Sequence, residues 1–203
     1  MHDLVDRAAG EHLTGQDYLD DFALRFGRIS TPGFWKLERR QTFREPRSES
    51  WRAFDRGEWD LALRLLEERR LAIAAEERDL VERGVPNGWV RVVEHPISPY
   101  LRWEFHSLRL RNEYAGTIRV VRADDLRRFE ERGPLPEVVT LDTDVMYDLV
   151  YDESGLQDGG VRITDPERVA CWQRFIEDLY RDAEDVESFF RREVAPLGPP
   201  GVG

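Results

Sequence analysis

The stretch from Trp89 to Val121 limits the fold more than any other part of the chain. Trp89-Val90-Arg91-Val92-Val93-Glu94 is a strand-forming run, and Ser98 followed by Pro99 has the chemistry of a helix cap and first helical position. The helical segment runs to about Ala115 and stops at Gly116, after which Thr117-Ile118-Arg119-Val120-Val121 echoes the first run. Parallel strands need a connection of about a dozen or more residues, so this order predicts a βαβ unit with a right-handed crossover. A chain holding such a unit is committed to a sheet with helices packed on it.

The flanking segments enlarge that unit. Tyr18, Phe22 and Phe26 recur at steps of four and predict a short amphipathic helix over 17–28. Phe34-Trp35-Lys36-Leu37-Glu38 alternates as an edge strand, Glu45-Pro46 interrupts it, and a helical turn carries Trp51 and Phe54. Residues 60–83 predict one long helix with Ala62, Leu65, Leu66, Ile73 and Leu80 on its stripe, closed by Gly84. A short polar helix is expected over 124–132, and strands over 137–141, 144–151 and 159–163 form an antiparallel meander. Asp165 and Pro166 open a last helix whose Val169, Trp172, Ile176, Leu179, Ala183, Val186 and Phe190 follow steps of three and four. That stripe is expected on the protein's own sheet, with a homodimer through the C-terminal helix as the alternative. The fold class is therefore α+β: a mixed sheet with a βαβ unit, an antiparallel meander and long packing helices. One domain spans 1–195, with 1–33 as an N-terminal helical annex and 196–203 as a flexible tail.

Charge and cysteine content narrow the function classes. A formal net charge of −11 disfavours non-specific nucleic-acid binding and anionic membranes. Cys171 is the single cysteine, which excludes an internal disulfide and fits a reducing compartment. The N-terminal residues Met1-His2-Asp3-Leu4 lack the pattern of a signal peptide, so a cytoplasmic protein is expected. His2, His12 and His95 are isolated, and no metal or cofactor is implied. The acidic run Asp142, Asp144, Asp148, Asp152 and Glu153 lacks the glycine and terminal glutamate of a calcium loop.

Candidate binding residues cluster around the βαβ unit. If Val90, Val92, Ile118 and Val120 share one face, then Arg91 and Arg119 stand together on the other, where an anionic ligand would relieve their repulsion. Ligands gather beyond the carboxyl ends of parallel strands, which adds Glu94, Tyr100, Arg102 and Glu104 to the ligand-binding set. The plainer alternative is that the two arginines face solvent or pair with Glu38 or Glu94. His106 with Arg102 and Glu113 is the nearest approach to a general acid/base cluster, although a surface histidine within helical charge pairs is the commoner arrangement. No phosphate loop, nucleophile elbow, dinucleotide fingerprint or HExxH motif occurs.

Phe34-Trp35-Lys36-Leu37-Glu38, Val90-Arg91-Val92-Val93-Glu94, the residues Pro96, Ser98, Tyr100, Arg102 and Glu104, and Asn112, Ala115-Gly116 and Ile118-Arg119-Val120 carry a family pattern. Tyr151-Asp152, Gly155 to Gly160 and Asp165-Pro166 continue it. The chain resembles a bacterial family catalogued as domain of unknown function 6879, found mainly in high-GC filamentous bacteria. The resemblance implies a cytosolic protein of a kind associated with helix-turn-helix regulators, and it carries fold rather than activity. Two functions follow. The first is a non-catalytic accessory or interaction protein with a regulatory role, its acidic surface suiting a basic protein partner. The second is an enzyme or sensor for a small phosphate- or carboxylate-bearing ligand near Arg91 and Arg119, oriented by Tyr100, with Glu94 or Glu104 as base. A nucleic-acid-modifying enzyme ranks last.

Overall fold

In the computed structural model, which describes residues 10–200, the chain runs β1 (Glu11–Thr14), α1 (Gly15–Phe26), β2 (Phe34–Glu38), α2 (Glu49–Asp55), α3 (Trp59–Glu68) and α4 (Arg70–Glu82). It continues through β3 (Asn87–Val93), α5 (Pro99–Ala115), β4 (Ile118–Arg122), a 3₁₀ helix (Ala123–Phe129), β5 (Val138–Leu141), β6 (Val145–Tyr151) and β7 (Gln157–Ile163). The last elements are α6 (Pro166–Asp182), β8 (Glu184–Asp185), α7 (Val186–Phe189), a π-helical turn (Phe190–Val194) and a 3₁₀ turn (Ala195–Leu197). All eight strands form one mixed sheet in the order β1-β7-β6-β5-β2-β3-β4-β8. The central β2-β3-β4 trio is parallel and every other pairing between these strands is antiparallel, so the α+β class and the meander expected from sequence are both present, but β2, expected at an edge, lies inside the sheet between β5 and β3.

The sheet has a helix layer on each side. On one face Val93, Ile118 and Val120 pack with α2, α3, α5 and α7, while α1 covers Tyr147 and Leu149 further along the same face. On the other face Leu37, Val90, Val92, Met146 and Val161 pack under α6 through Val169, Trp172 and Ile176. Those three α6 residues are wholly buried, and each buried large apolar side chain contributes about 1.5–3 kcal/mol, so α6 spends its stripe on the sheet. Its start is fixed by Asp165, whose carboxylate accepts from the N–H groups of Glu167 (3.0 Å) and Arg168 (3.2 Å). Asp165→Ala is expected to lower stability by about 1 kcal/mol, read as a drop in the urea midpoint with unchanged slope. No helix among the described residues is long and apolar enough to cross a membrane.

Four other sequence expectations need correction. The helix expected over 60–83 is two helices that bend at Arg69 (φ −84°, ψ −2°), because Leu66 and Ile73 pack with α5 whereas Leu80 and Val85 pack toward α1. The continuous C-terminal helix stops at Ala183, which is extended (φ −80°, ψ 155°); β8 pairs with β4, and Asp185 caps a new helix. The chain thereby rounds the sheet edge, and Val186, Phe189 and Phe190 end on the face opposite α6. Residues 11–14, read within a helical annex, form a strand paired to β7, where a Cβ on Gly159 (φ +143°) would stand 2.1 Å from the Leu13 carbonyl oxygen. The polar segment after β4 is a 3₁₀ helix ending at Phe129. Of the N-terminal and tail readings, residues 1–9, including His2, and 201–203 lie outside the described residues.

The next correction bears on function. Trp89 pairs with Ile118, so Arg91 stands beside Val120 and Val90 beside Arg119. This register differs by one residue from the expected one, and in a strand a one-residue slip moves every side chain to the opposite face. It is fixed at the α5 terminus. Gly116 takes a left-handed cap (φ 66°), the Asn112 side chain accepts from the Ile118 N–H at 2.9 Å, and the Trp89 N–H donates to Thr117 O at 2.9 Å.

Candidate functional site: a buried carboxylate cluster beneath a cavity

Near the carboxyl ends of β2 and β3, Glu38 lies beside Arg91, and the pairing of Leu37 with Val138 brings Glu137 to the other flank of Glu38. All three project from the face covered by α5. Arg91 has no exposed surface; its Nε donates to Glu104 Oε2 at 2.7 Å and its Nη1 to the carbonyls of Glu38 (3.3 Å) and Val92 (3.2 Å). Its Nη2 has no hydrogen-bond partner among the described residues. Glu38 accepts from Trp89 Nε1 at 2.9 Å and pairs with Lys36, the chain's single lysine, whose ammonium sits 4.0 Å from the Trp89 ring centroid.

α5 supplies the lid of this cluster. Ser98 caps it by accepting from the Leu101 N–H at 3.1 Å, which puts Tyr100 and Glu104 on the same side one turn apart. Tyr100 Oη lies 3.1 Å from Glu104 Oε1 and also contacts Glu45 Oε1. A phenol has one proton to donate, so with two carboxyl groups on one hydroxyl the second contact needs a proton on a carboxyl. Glu137 accepts from the N–H groups of Arg39 (2.8 Å) and Arg40 with Oε1, and its Oε2 has no partner among the described residues.

Four carboxyl groups, Glu38, Glu45, Glu104 and Glu137, thus surround two cations, Lys36 and Arg91. Burial pushes Glu104 up to about 7 against the opposing pull of Arg91, and burial with the nearby Glu38 pushes Glu137 up to about 7. Burial raises Glu45 as well, and Tyr100 well above the ordinary phenol value, the latter reinforced by Glu104 and Glu45. Such a cluster shares protons among acids rather than carrying four full negative charges. It can accept a cation or N–H donor, or exchange a proton near neutrality.

Above the cluster is a cavity of about 420 Å³, within the range of small-molecule sites. Its aromatic wall is Phe43, Trp89, Tyr100, Trp103 and Tyr151, with Glu38, Glu45 and Glu104 as the acidic floor. Trp103 is fixed by donating to Ser50 Oγ at 2.8 Å and by stacking on Phe54 (5.7 Å, 21°). A second cavity of about 620 Å³ lies past Leu149 and Tyr151 and includes Glu137, Arg40 and Glu94.

Of the residues expected from sequence to bind a ligand, Arg91, Tyr100 and Glu104 come together here. Glu94 is exposed, pairs with Arg39 at 2.7 Å and belongs to the second cavity. Arg102 is half-buried beside neither, and its Nε has no partner among the described residues. Arg119 points from the opposite face, bonds Asp185 at 2.8 Å and lies 5.4 Å from the Tyr180 ring centroid. The two-arginine clamp is therefore absent, because the true register separates its halves. The acid/base cluster at His106 is absent too. Its ring packs between Trp59 (5.6 Å) and Phe190 (4.9 Å), burial and Arg109 push it down to about 4, and Glu113 bonds Arg70. Sequence reasoning missed Lys36, Glu45, Glu137, Trp89 and Trp103. Lys36 and Glu38 alternate onto one strand face, which was a usable signal; Glu45 sits in irregular chain and gave none.

A family model described as a domain of unknown function (DUF6879) matches residues 20–191. The chain belongs to this family. The match runs from within α1 to just past α7 and so takes in every residue of the cluster and its cavity. No curated protein and no solved structure matches the chain. The family's description assigns no activity.

Proposed function

We propose that the protein is an accessory protein that works by binding a small polar ligand in the 420 Å³ cavity over Glu45 and Glu104. The observation that supports this reading is a buried excess of acid beneath a hollow. Buried ionic groups are commonly no more stabilising than apolar residues of the same volume, and acids held near neutral pKa in a cleft mark functional sites. An anion held jointly by Arg91 and Arg119 is not part of this proposal, since those side chains leave opposite faces of the sheet. A protein partner reading the ligand-bound state would dock outside the cavity, and the formal net charge of −11 favours a basic one.

The test is a thermal-shift screen of small polar metabolites on the native chain and on Ser107→Phe. Ser107 lines the cavity from α5, and a phenyl group there obstructs part of it. A ligand at a hundred times its Kd adds about 2.7 kcal/mol, which raises the Tm by roughly 5–10 °C in a domain of this size. The expected result is one chemical class that stabilises the native chain and leaves Ser107→Phe unmoved. Silence across the screen, or equal stabilisation of both chains, contradicts the proposal.

A further inference from the structure

Glu45 is the hinge between two hollows. It lines the aromatic cavity and also a neighbouring one of about 530 Å³, and the two share Arg44, Ser48, Arg69 and Gln157 as well. One Glu45 oxygen is engaged by Tyr100, while Oε2 makes no hydrogen bond among the described residues. The inner hollow is lined by the indoles of Trp89 and Trp103 as well as by Glu45. The outer hollow holds fewer acids: Arg44, Arg47 and Arg69 line it with Glu45 as the one acid among its lining residues, whereas Glu38 and Glu104 line the inner hollow alone.

Two of these three arginines have no carboxylate partner among the described residues. Neither Arg44 nor Arg47 is in a salt bridge among the described residues; Arg44 lies over the Trp51 ring at 5.9 Å and its charge reaches Asp152 only at longer range. Arg69 is held by Glu76 at 3.3 Å. An arginine group with spare donors beside an open acceptor and an aromatic wall is complementary to a molecule of two ends.

Resting on the cavity reading above, the geometry points to a bipolar ligand of the nucleoside monophosphate class: a flat ring with N–H donors on Glu45 and the aromatic wall, and a phosphate at Arg44, Arg47 and Arg69. The ring needs a donor edge because the acceptor at the junction is a carboxylate. The phosphate belongs on the outer side because Arg47 lines that hollow alone, while Glu38 and Glu104 line the inner hollow alone. An anion was expected from sequence, but its seat lies here, in the irregular segment between β2 and α2.

Calorimetric titration with guanosine monophosphate, guanosine and inorganic phosphate tests this on the native chain and on the double variant Arg44→Gln/Arg47→Gln. Both arginines are exposed, and an unchanged melt of the unliganded variant confirms its fold. The monophosphate should bind the native chain at least tenfold more tightly than either guanosine or phosphate. The double variant should lose at least tenfold toward the monophosphate and stay unchanged toward guanosine, and Glu45→Gln should weaken guanosine itself. Guanosine or phosphate binding as tightly as the monophosphate overturns the inference, as does a double variant with undiminished affinity. If none of the three binds while the metabolite screen yields a stabiliser blocked by Ser107→Phe, this inference falls and the cavity reading stands. If the screen also fails, both fall.

Discussion

Arg91→Met at pH 8 is expected to cost about 3–5 kcal/mol of folding free energy, the penalty typical of breaking a buried ion pair from one side. Methionine keeps much of the volume, so the loss reports charge rather than a cavity. Glu104, whose Oε2 receives the Arg91 Nε at 2.7 Å, would be left with Tyr100 as its remaining partner, while Glu38 and Glu137 would keep their burial without the guanidinium between them. Two comparisons make the cause visible. At pH 5 the stranded carboxyl groups can take up protons, so the cost of the substitution should shrink to less than half. In the double variant Arg91→Met/Glu104→Met most of the stability should return, because removing both partners leaves less charge uncompensated. Urea unfolding at the two pH values measures all of these; a cost independent of pH would assign Arg91 to packing alone.

The native chain itself should lose stability as pH rises from about 5 to 7. Glu104 and Glu137 stand at about 7 in the fold against an ordinary 4.5, so between those values the folded state holds protons that the unfolded chain has released. Stability therefore falls with rising pH in that window, is fully present below it, and levels off above about 7. Each pKa unit corresponds to ~1.4 kcal/mol, so each group contributes on the order of 3 kcal/mol across the window. The acids that are lowered act elsewhere: Asp21, despite some burial, is held down by Tyr147, Arg25 and Arg162, and its contribution is lost only as pH drops below the ordinary carboxyl range. Glu104→Gln and Glu137→Gln should each flatten the pH 5–7 slope of the melting temperature. A native chain whose stability rises with pH through this window, or glutamine variants with the native slope, would show that the cluster is not short of positive charge.

Periodicity could be read where an element turns one stripe to one surface, as Val169, Trp172 and Ile176 of α6 do to the sheet. Phe34 to Glu38 was read correctly as a strand but not in its place: it lies inside the sheet, between β5 and β3, with side chains on both faces. The reading failed where one apolar pattern serves two layers. Val169 to Leu179 and Val186 to Phe190 keep a common helical period, yet the chain crosses the sheet edge at Ala183 between them. Leu66 and Leu80 likewise fit one helical stripe but belong to different cores, so the bend at Arg69 leaves no periodic mark.

The site was legible only in part for the same reason. That Arg91, Tyr100 and Glu104 stand close together could be read because they lie on regular elements whose spacing sets their direction. Arg119 was joined to Arg91 by assuming that equal-looking strands pair at equal positions, when the Gly116 turn and the Asn112 side chain shift the register by one. Glu45 and Glu137 stand just outside strands and helices, and nothing in local sequence says that Glu45 folds back to Tyr100 or Glu137 toward Arg91.

We propose the hollow above Glu45 and Glu104 as the seat of the ligand. Carbon-13 NMR of the glutamate side-chain carboxyl groups, followed while a stabilising compound from the screen is titrated in, tests this directly. The resonances of Glu45 and Glu104 should move together and saturate with the binding isotherm, with Glu187 on the far side of α5 unmoved. Saturable shifts confined to Glu187 or other surface acids, with Glu45 and Glu104 silent, would contradict it.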